Sequence, residues 1–330
     1  MPVSRRLALP ALVAVSALGL AACGDGGADA AAGQAGDSGD AAITIVTSTN
    51  VYGGIAAAVG GDDVEVTSIV DSLSQDPHSY EPTVQDKLSV SEADLVIENG
   101  GGYDAFLGRL ADETGVGTVL NAVEVSGLDE HAGEEPAGDE HADEEHAGEE
   151  HAHGSFNEHV WYDLAAMATL ADAVADELAR LDGPNADAYR QRADAFIEDL
   201  QPVQERLAAL ASENAAKDVE IAVTEPVPAY LLEAAGLEDV TPEGFIEAIE
   251  EESDVPVAAL EEMKTLVSGG GLAFLAYNGQ TEGAQTEAVR SVAEEADLPV
   301  VEFTETLPDG EDYVSWMAGN TDSIEAALGS

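Results

Sequence analysis

Residues Ile43–Val70 read ITIVTSTNVYGGIAAAVGGDDVEVTSIV. The stretch opens on a strand-like apolar run, Ile43–Thr47, and passes into a helical stretch, Val51–Val59. It breaks at Gly60-Gly61-Asp62 and returns to a strand at Val64–Val70. β-Branched residues fit a pleated, half-buried surface, whereas the alanine-rich centre suits a helix. The pattern then continues through helix Val84–Ser91, strand Asp94–Glu98, helix Tyr103–Glu113 and a short strand, Thr118–Leu120. Strands alternating with helices predict a parallel sheet covered on both faces.

A second alternating series begins at Val219–Thr224 and runs through helix Val227–Ala235, strand Leu272–Tyr277, helix Thr286–Ala296 and strand Pro299–Phe303. Between the two series lies a long helical region. Asp163–Leu181 carries apolar residues at helical spacing, Asp182-Gly183-Pro184-Asn185 breaks it, and helix resumes to about Asn214. Pro202 is expected to kink this second piece or to mark a new start. The predicted fold class is α/β, with two mostly parallel lobes flanked by helices and bridged by a long backbone helix. The expected divisions are a leader at 1–22, a tether at 23–41, a first lobe at 42–162, a helical linker at 163–216 and a second lobe at 217–330.

The amino terminus, MPVSRRLALPALVAVSALGLAAC, places Arg5 and Arg6 before an apolar run, Leu7–Leu20, that is too short to span a bilayer. Leu20-Ala21-Ala22-Cys23 matches a bacterial lipobox, and Cys23 is the only cysteine. An internal disulfide and a cysteine metal site are thereby excluded. Diacylation at Cys23 would supply the two-chain anchor that stable membrane attachment needs, so an exported lipoprotein is expected. The following Gly/Ala/Asp-rich residues read as a flexible tether.

The formal net charge is −56, from 11 Lys+Arg against 67 Asp+Glu. Nucleic acid, itself a polyanion, would be repelled. The acidity has two readings, adaptation to high salt, where screening removes self-repulsion, or an acidic surface kept for solubility.

All seven histidines lie in or around one segment. Asp129–Gly154, DEHAGEEPAGDEHADEEHAGEEHAHG, contains His131, His141, His146, His151 and His153. His159 follows in NEHVWYD, and His78 precedes the segment in DPHSYEPT. Imidazole is the commonest protein metal ligand and carboxylate a natural companion, so transition-metal handling is indicated. The low-complexity segment is read either as a solvated spacer or as a weak, flexible metal collector. It is not the high-affinity site, because a disordered chain must lose entropy to close round an ion.

Four residues stand just after a predicted strand or at a loop mouth: His78, His159, Glu225 and Glu305. In open α/β sheets ligand sites form outside the carboxyl ends of the strands. Asn50, Tyr52, Asn99, Tyr103, Asn278 and Gln280 also sit at predicted strand ends, where they would orient ligands or simply make turns. Trp161 reads as packing beside His159.

DPHSYEPT, NEHVWYD, AVTEPVPAYLLEAAGL and VVEFTETLP together resemble the four ligand segments of the zinc/manganese solute-binding proteins of bacterial ABC importers, the ZnuA/TroA-like family. The resemblance runs from about Ala42 to the C-terminus. It implies two lobes bridged by a rigid helix and a metal cleft between them, with His78, His159, Glu225 and Glu305 as ligands. It also implies an extracytoplasmic, lipid-anchored, monomeric receptor working with an ABC permease and its ATPase. Zinc-type members usually offer a histidine where this chain has Glu225 and an aspartate where it has Glu305. Two imidazoles with two carboxylates resemble the manganese/iron-type set, while the histidine-rich insert resembles the zinc type. The expected cargo is Zn2+, with Mn2+ or Fe2+ as the alternative. Two other classes remain open, a zinc hydrolase and a surface adhesion or metal-buffering lipoprotein. Against the first, the chain has no HExxH helix, and four protein ligands would close the water position that hydrolysis needs.

Overall fold

The computed structural model describes residues 42–131, 156–251 and 253–329. Cys23, His141, His146, His151 and His153 lie outside them. Among the described residues no helix is long and apolar enough to cross a membrane.

The first lobe is built from β1 (Ile43–Thr49), α1 (Asn50–Gly60), β2 (Val64–Val70), α2 (Val84–Ser91), β3 (Leu95–Glu98), α3 (Ala105–Thr114), β4 (Val119–Asn121), α4 (Ala122–Ser126) and α5 (Leu128–His131). After a 3-10 turn at Val160–Tyr162 come α6 (Leu164–Leu181) and α7 (Ala186–Asn214). The second lobe contains β5 (Glu220–Val223), α8 (Ala229–Ala234), β6 (Glu238–Asp239), α9 (Glu243–Glu250), α10 (Val257–Ser268), β7 (Leu275–Asn278), α11 (Ala284–Glu295), β8 (Val300–Phe303) and α12 (Tyr313–Leu328). The two sheets share one plan: β2-β1-β3-β4 in the first and β6-β5-β7-β8 in the second, with every pair parallel.

Strand periodicity divides the core. Ile43, Ile45, Leu95 and Ile97 face a cluster that continues into the second lobe through Ile221, Val223, Ala276, Val301 and Phe303. Their alternate neighbours turn outward, Val46 and Val96 toward α3 and Ala222, Leu275 and Tyr277 toward α9, α10 and α11. This is the two-residue period of a strand covered on both faces. The shared cluster is filled by Leu170 and Val174 of α6, Phe196, Leu200 and Val203 of α7, and Trp316 of α12.

Helix α6 packs on α1 and α4, while α7 meets α1 at one end and α8 and α12 further along. Arg192 of α7 donates to the Val59 and Gly60 carbonyls at the end of α1, at 2.6 and 2.7 Å. Arg206, also on α7, pairs with Asp322 and Glu325 of α12. Pro202 does not mark a new start: α7 continues through it for 29 residues. Pro202 and Glu198, whose carbonyl loses its partner, are both exposed, so water can satisfy that carbonyl while the buried stripe Phe196–Leu200–Val203–Leu207 stays in register.

Gly236 closes α8 against α7. Its φ is +70°, and a Cβ there would stand 2.7 Å from the Ala211 Cα. Gly310 has a similar φ of +82° but open space around it. Gly310→Ala should cost about 1–2 kcal/mol, from the left-handed backbone alone. Gly236→Ala should cost about 3 kcal/mol or more, because overpacking against α7 is added. Denaturant midpoints of the two variants check the difference, which would vanish if α8 could simply shift away from α7.

Candidate metal centre

His78 sits in the loop after β2, where an Asx turn fixes the backbone. The His78 N–H donates to Asp76 Oδ1 at 2.9 Å, and the Ser79 hydroxyl donates to Asp76 Oδ2 at 2.7 Å. His159 repeats the device, its N–H donating to Asn157 Oδ1 at 3.0 Å. The same oxygen lies 2.6 Å from His159 Nδ1. Asn157 Nδ2 donates to the Pro226 carbonyl at 2.9 Å, which fixes the orientation of the amide. Oδ1 is therefore an acceptor, Nδ1 of His159 carries the ring hydrogen, and Nε2 keeps a lone pair. That Nε2 is buried and has no hydrogen-bond partner, whereas Nε2 of His78, also buried, is paired with Glu305.

The carboxylates come from the second lobe. Glu225 directly follows the end of β5 and its Thr224, and Glu305 lies just beyond β8. Glu305 is completely buried and Glu225 almost so. His78 Nε2 lies 3.3 Å from Glu305 Oε2 and 3.9 Å from Glu225 Oε1. Among the described residues one group of potential ligand atoms converges, from His78, His159 and Glu305, all within 4.8 Å of one another. Glu225 stands at its margin, in contact with His78 but outside that limit.

Aromatic rings enclose the imidazoles. Tyr103 packs edge-on to His78 at 4.7 Å between centroids, and Trp161 to His159 at 5.1 Å. Tyr103 also donates its hydroxyl to Glu305 Oε2 at 2.9 Å. Asn278 Nδ2 reaches Glu225 Oε2 and Glu305 Oε1, both at 2.7 Å, and the Thr281 hydroxyl donates to Glu225 Oε2. Gln280 accepts from the backbone N–H groups of Glu305 and Thr306, and donates to the Gln75 carbonyl in the His78 loop at 2.7 Å. Asn50 exchanges two hydrogen bonds with the Leu307 backbone. Tyr52 donates to Asn99, whose amide donates in turn to the Glu158 carbonyl. Of the six accessory residues singled out in the sequence, Tyr103 and Asn278 touch the carboxylates, while the other four hold loops.

Asn157 and Thr281 escaped sequence reading. A signal for Asn157 was present, because an Asx residue stands two positions before both His78 and His159. Thr281 had none.

Electrostatics separates the four groups. Burial alone would lower the His78 pKa, but the hydrogen bond and charge of Glu305, with Glu225 and Glu158, raise it to about 9. His159 goes the other way, to about 3, because burial outweighs the pull of Glu305 and the His78 charge opposes protonation. Burial and the neighbouring Glu305 push Glu225 up to about 7, against the hydrogen bonds from Thr281 and Asn278. Burial acts to raise Glu305 too, but the hydrogen bond and charge of His78 dominate, and its pKa falls. The site is thus a neutral imidazole facing a protonated imidazole held by carboxylates, a donor set suited to a divalent cation that displaces the protons. A cavity of 530 Å³, lined by Asp76, His78, Glu225, Glu250, Asp254 and Glu282 among others, opens beside it.

Residues 45–327 match the family model described as "ZnuA: Zinc-uptake complex component A periplasmic". The chain is 28% identical to the metal ABC transporter substrate-binding lipoprotein FimA of Streptococcus parasanguinis, covering 96% of this chain and 97% of that protein. It is 24% identical to the manganese ABC transporter substrate-binding lipoprotein PsaA of Streptococcus mitis, covering 95% and 96%. Among solved structures, the periplasmic zinc binding protein TroA of Treponema pallidum superposes with a TM-score of 0.70 at 20% identity, over 87% of this chain and 99% of that one. The chain belongs to the ZnuA family, whose members are substrate-binding receptors of metal ABC transporters and not enzymes.

Proposed function

We propose that the protein captures a divalent cation, Zn2+, outside the cytoplasm through His78, His159, Glu225 and Glu305, and delivers it to an ABC permease driven by a separate ATPase. Cys23 carries the lipid anchor, and the receptor works as a monomer. The reading is carried by one observation: the buried, unpartnered Nε2 of His159 stands in a group where potential ligand atoms of His78, His159 and Glu305 converge within 4.8 Å. An orphaned buried polar atom is costly, and a bound cation would satisfy it while taking the place of the His78 proton before Glu305. Two imidazoles suit zinc, and the insert histidines 131, 141, 146, 151 and 153 act as a weak collector for the same ion. The runner-up cargo is Mn2+ or Fe2+, favoured by the pair of carboxylates and by the name of the PsaA relative.

His78→Ala combined with His159→Ala should weaken binding of one Zn2+ by at least about a thousandfold, since half the donors go. Competition titration against a chelator reads this, and intact tight binding would end the assignment. Deleting residues 132–153, which spares α5, should leave one tight site and remove only weak binding. A metal buffer would instead lose most of its capacity.

Acid should weaken capture. His159, with a pKa of about 3, is already neutral at pH 8, whereas His78, at about 9, still holds its proton. Glu225, at about 7, takes up another proton as the pH falls below that value. Metal binding should therefore release about one proton at pH 8 and about two at pH 6, with affinity falling as the pH drops. Calorimetry in buffers of different ionisation enthalpy counts these protons, and a release that did not change with pH would contradict the assignment.

A further inference from the structure

Asn278 touches both carboxylates at once, and its own orientation is fixed. Its Oδ1 accepts the Gln280 N–H at 2.9 Å, so the amide cannot be turned round without setting Oδ1 against two carboxylates. Its backbone N–H is held by Thr224 Oγ1 at 3.0 Å. From this position the two Nδ2 hydrogens go to Glu225 Oε2 and Glu305 Oε1, each at 2.7 Å, with Thr281 Oγ1 2.9 Å from the same nitrogen. The Thr281 hydroxyl passes its own hydrogen to Glu225 Oε2. One oxygen of each carboxylate is therefore committed to neutral donors, and the other oxygen of each faces His78. On Glu305 the facing oxygen also accepts from Tyr103 at 2.9 Å, which occupies one of its lone pairs.

We propose that Asn278, assisted by Thr281, limits Glu225 and Glu305 to one oxygen ligand each and so sets the coordination number of the site at four. The proposal rests on the ligand assignment made above and adds what that assignment leaves open, the basis of ion choice. A carboxylate that can swing both oxygens onto an ion supplies the fifth and sixth donors that Mn2+ favours. Drawing the second oxygen onto the ion would disturb hydrogen bonds to a charged group in a buried site, most of all at Glu225 Oε2, which already accepts from both Asn278 and Thr281. Zn2+, which has no geometric preference from its d electrons, is satisfied by two nitrogens and two oxygens. The discrimination therefore lies in a neutral amide behind the ligands, where no metal donor atom is involved.

Full-length protein loaded with one equivalent of Co2+ reports coordination number through its visible absorption, which is intense for four-coordinate and weak for six-coordinate ions. The wild type should show the intense spectrum. Asn278→Ala should lose intensity several-fold, and the ratio of Mn2+ to Zn2+ dissociation constants should narrow by about tenfold. Thr281→Val removes a single donor and should shift both readings in the same direction by less. It decides the matter if Asn278→Ala does not fold. A weak, six-coordinate spectrum in the wild type overturns the proposal. So does an unchanged spectrum and ion ratio in the folded variants. If the wild type takes up neither Co2+ nor Zn2+ stoichiometrically, the receptor assignment itself fails, an outcome distinct from binding with the wrong coordination number.

Discussion

Two carboxylates buried side by side govern the site. Glu305 is fully enclosed and Glu225 nearly so, and each buried ion carries a desolvation penalty of several kcal/mol that mutual repulsion increases. The surroundings offset this with charge and hydrogen bonds together. His78 supplies a positive charge at 3.3 Å, Tyr103 and Thr281 supply hydroxyl hydrogens, and Asn278 spans both groups. His78 cannot do this from the surface, so its loop is tied down by Asp76 beneath it and by Gln280 across the seam. The opposite pKa shifts of the two imidazoles follow: the one against the carboxylates is held charged, while the one walled by Trp161 and Tyr103 is held neutral.

The seam is built to keep these groups in place. Polar links cross it at several points, Asn50 to Leu307, Asn157 to Pro226, Tyr162 to Thr304 and Tyr313 to Trp161. Beneath them one apolar cluster continues from Ile45 and Ile97 through α6 and α7 to Val223 and Phe303. Packed cores resist continuous deformation, so two imidazoles and two carboxylates spread over both lobes are held by the same interior that joins them.

Much of this was readable in advance because it follows short-range rules. Strands such as Ile43–Thr49 and Val300–Phe303 announce themselves by β-branched runs, and their ends locate ligands in a parallel sheet. His78, His159, Glu225 and Glu305 were chosen on that ground; the fold brings His78, His159 and Glu305 together and leaves Glu225 beside His78 at the margin. What escaped depends on partners distant in sequence. Pro202 looks like a helix breaker until its exposed position is known. Helices α9, α10 and α12 drew no assignment, although α9 and α10 carry buried residues that fill the outer face of the second sheet. Thr281 is an ordinary loop threonine in the chain, and its link to Glu225 spans 56 residues. No local pattern encodes such a pairing.

The large negative charge and the buried site play different parts. The cavity is lined by Asp76, Glu250, Asp254 and Glu282 among others, and acid is spread over the rest of the chain. Such a field concentrates cations and speeds their arrival, though salt screens it beyond a Debye length of about 8 Å at physiological ionic strength. It acts on charge alone, so it draws Zn2+, Mn2+, Mg2+ and Ca2+ alike. Imidazole donors exclude the last two, which prefer oxygen shells. Between zinc and manganese neither the field nor the two imidazoles is enough, because both ions accept nitrogen. The remaining variable is how many oxygens the carboxylates offer, and one oxygen of each is already held by Asn278.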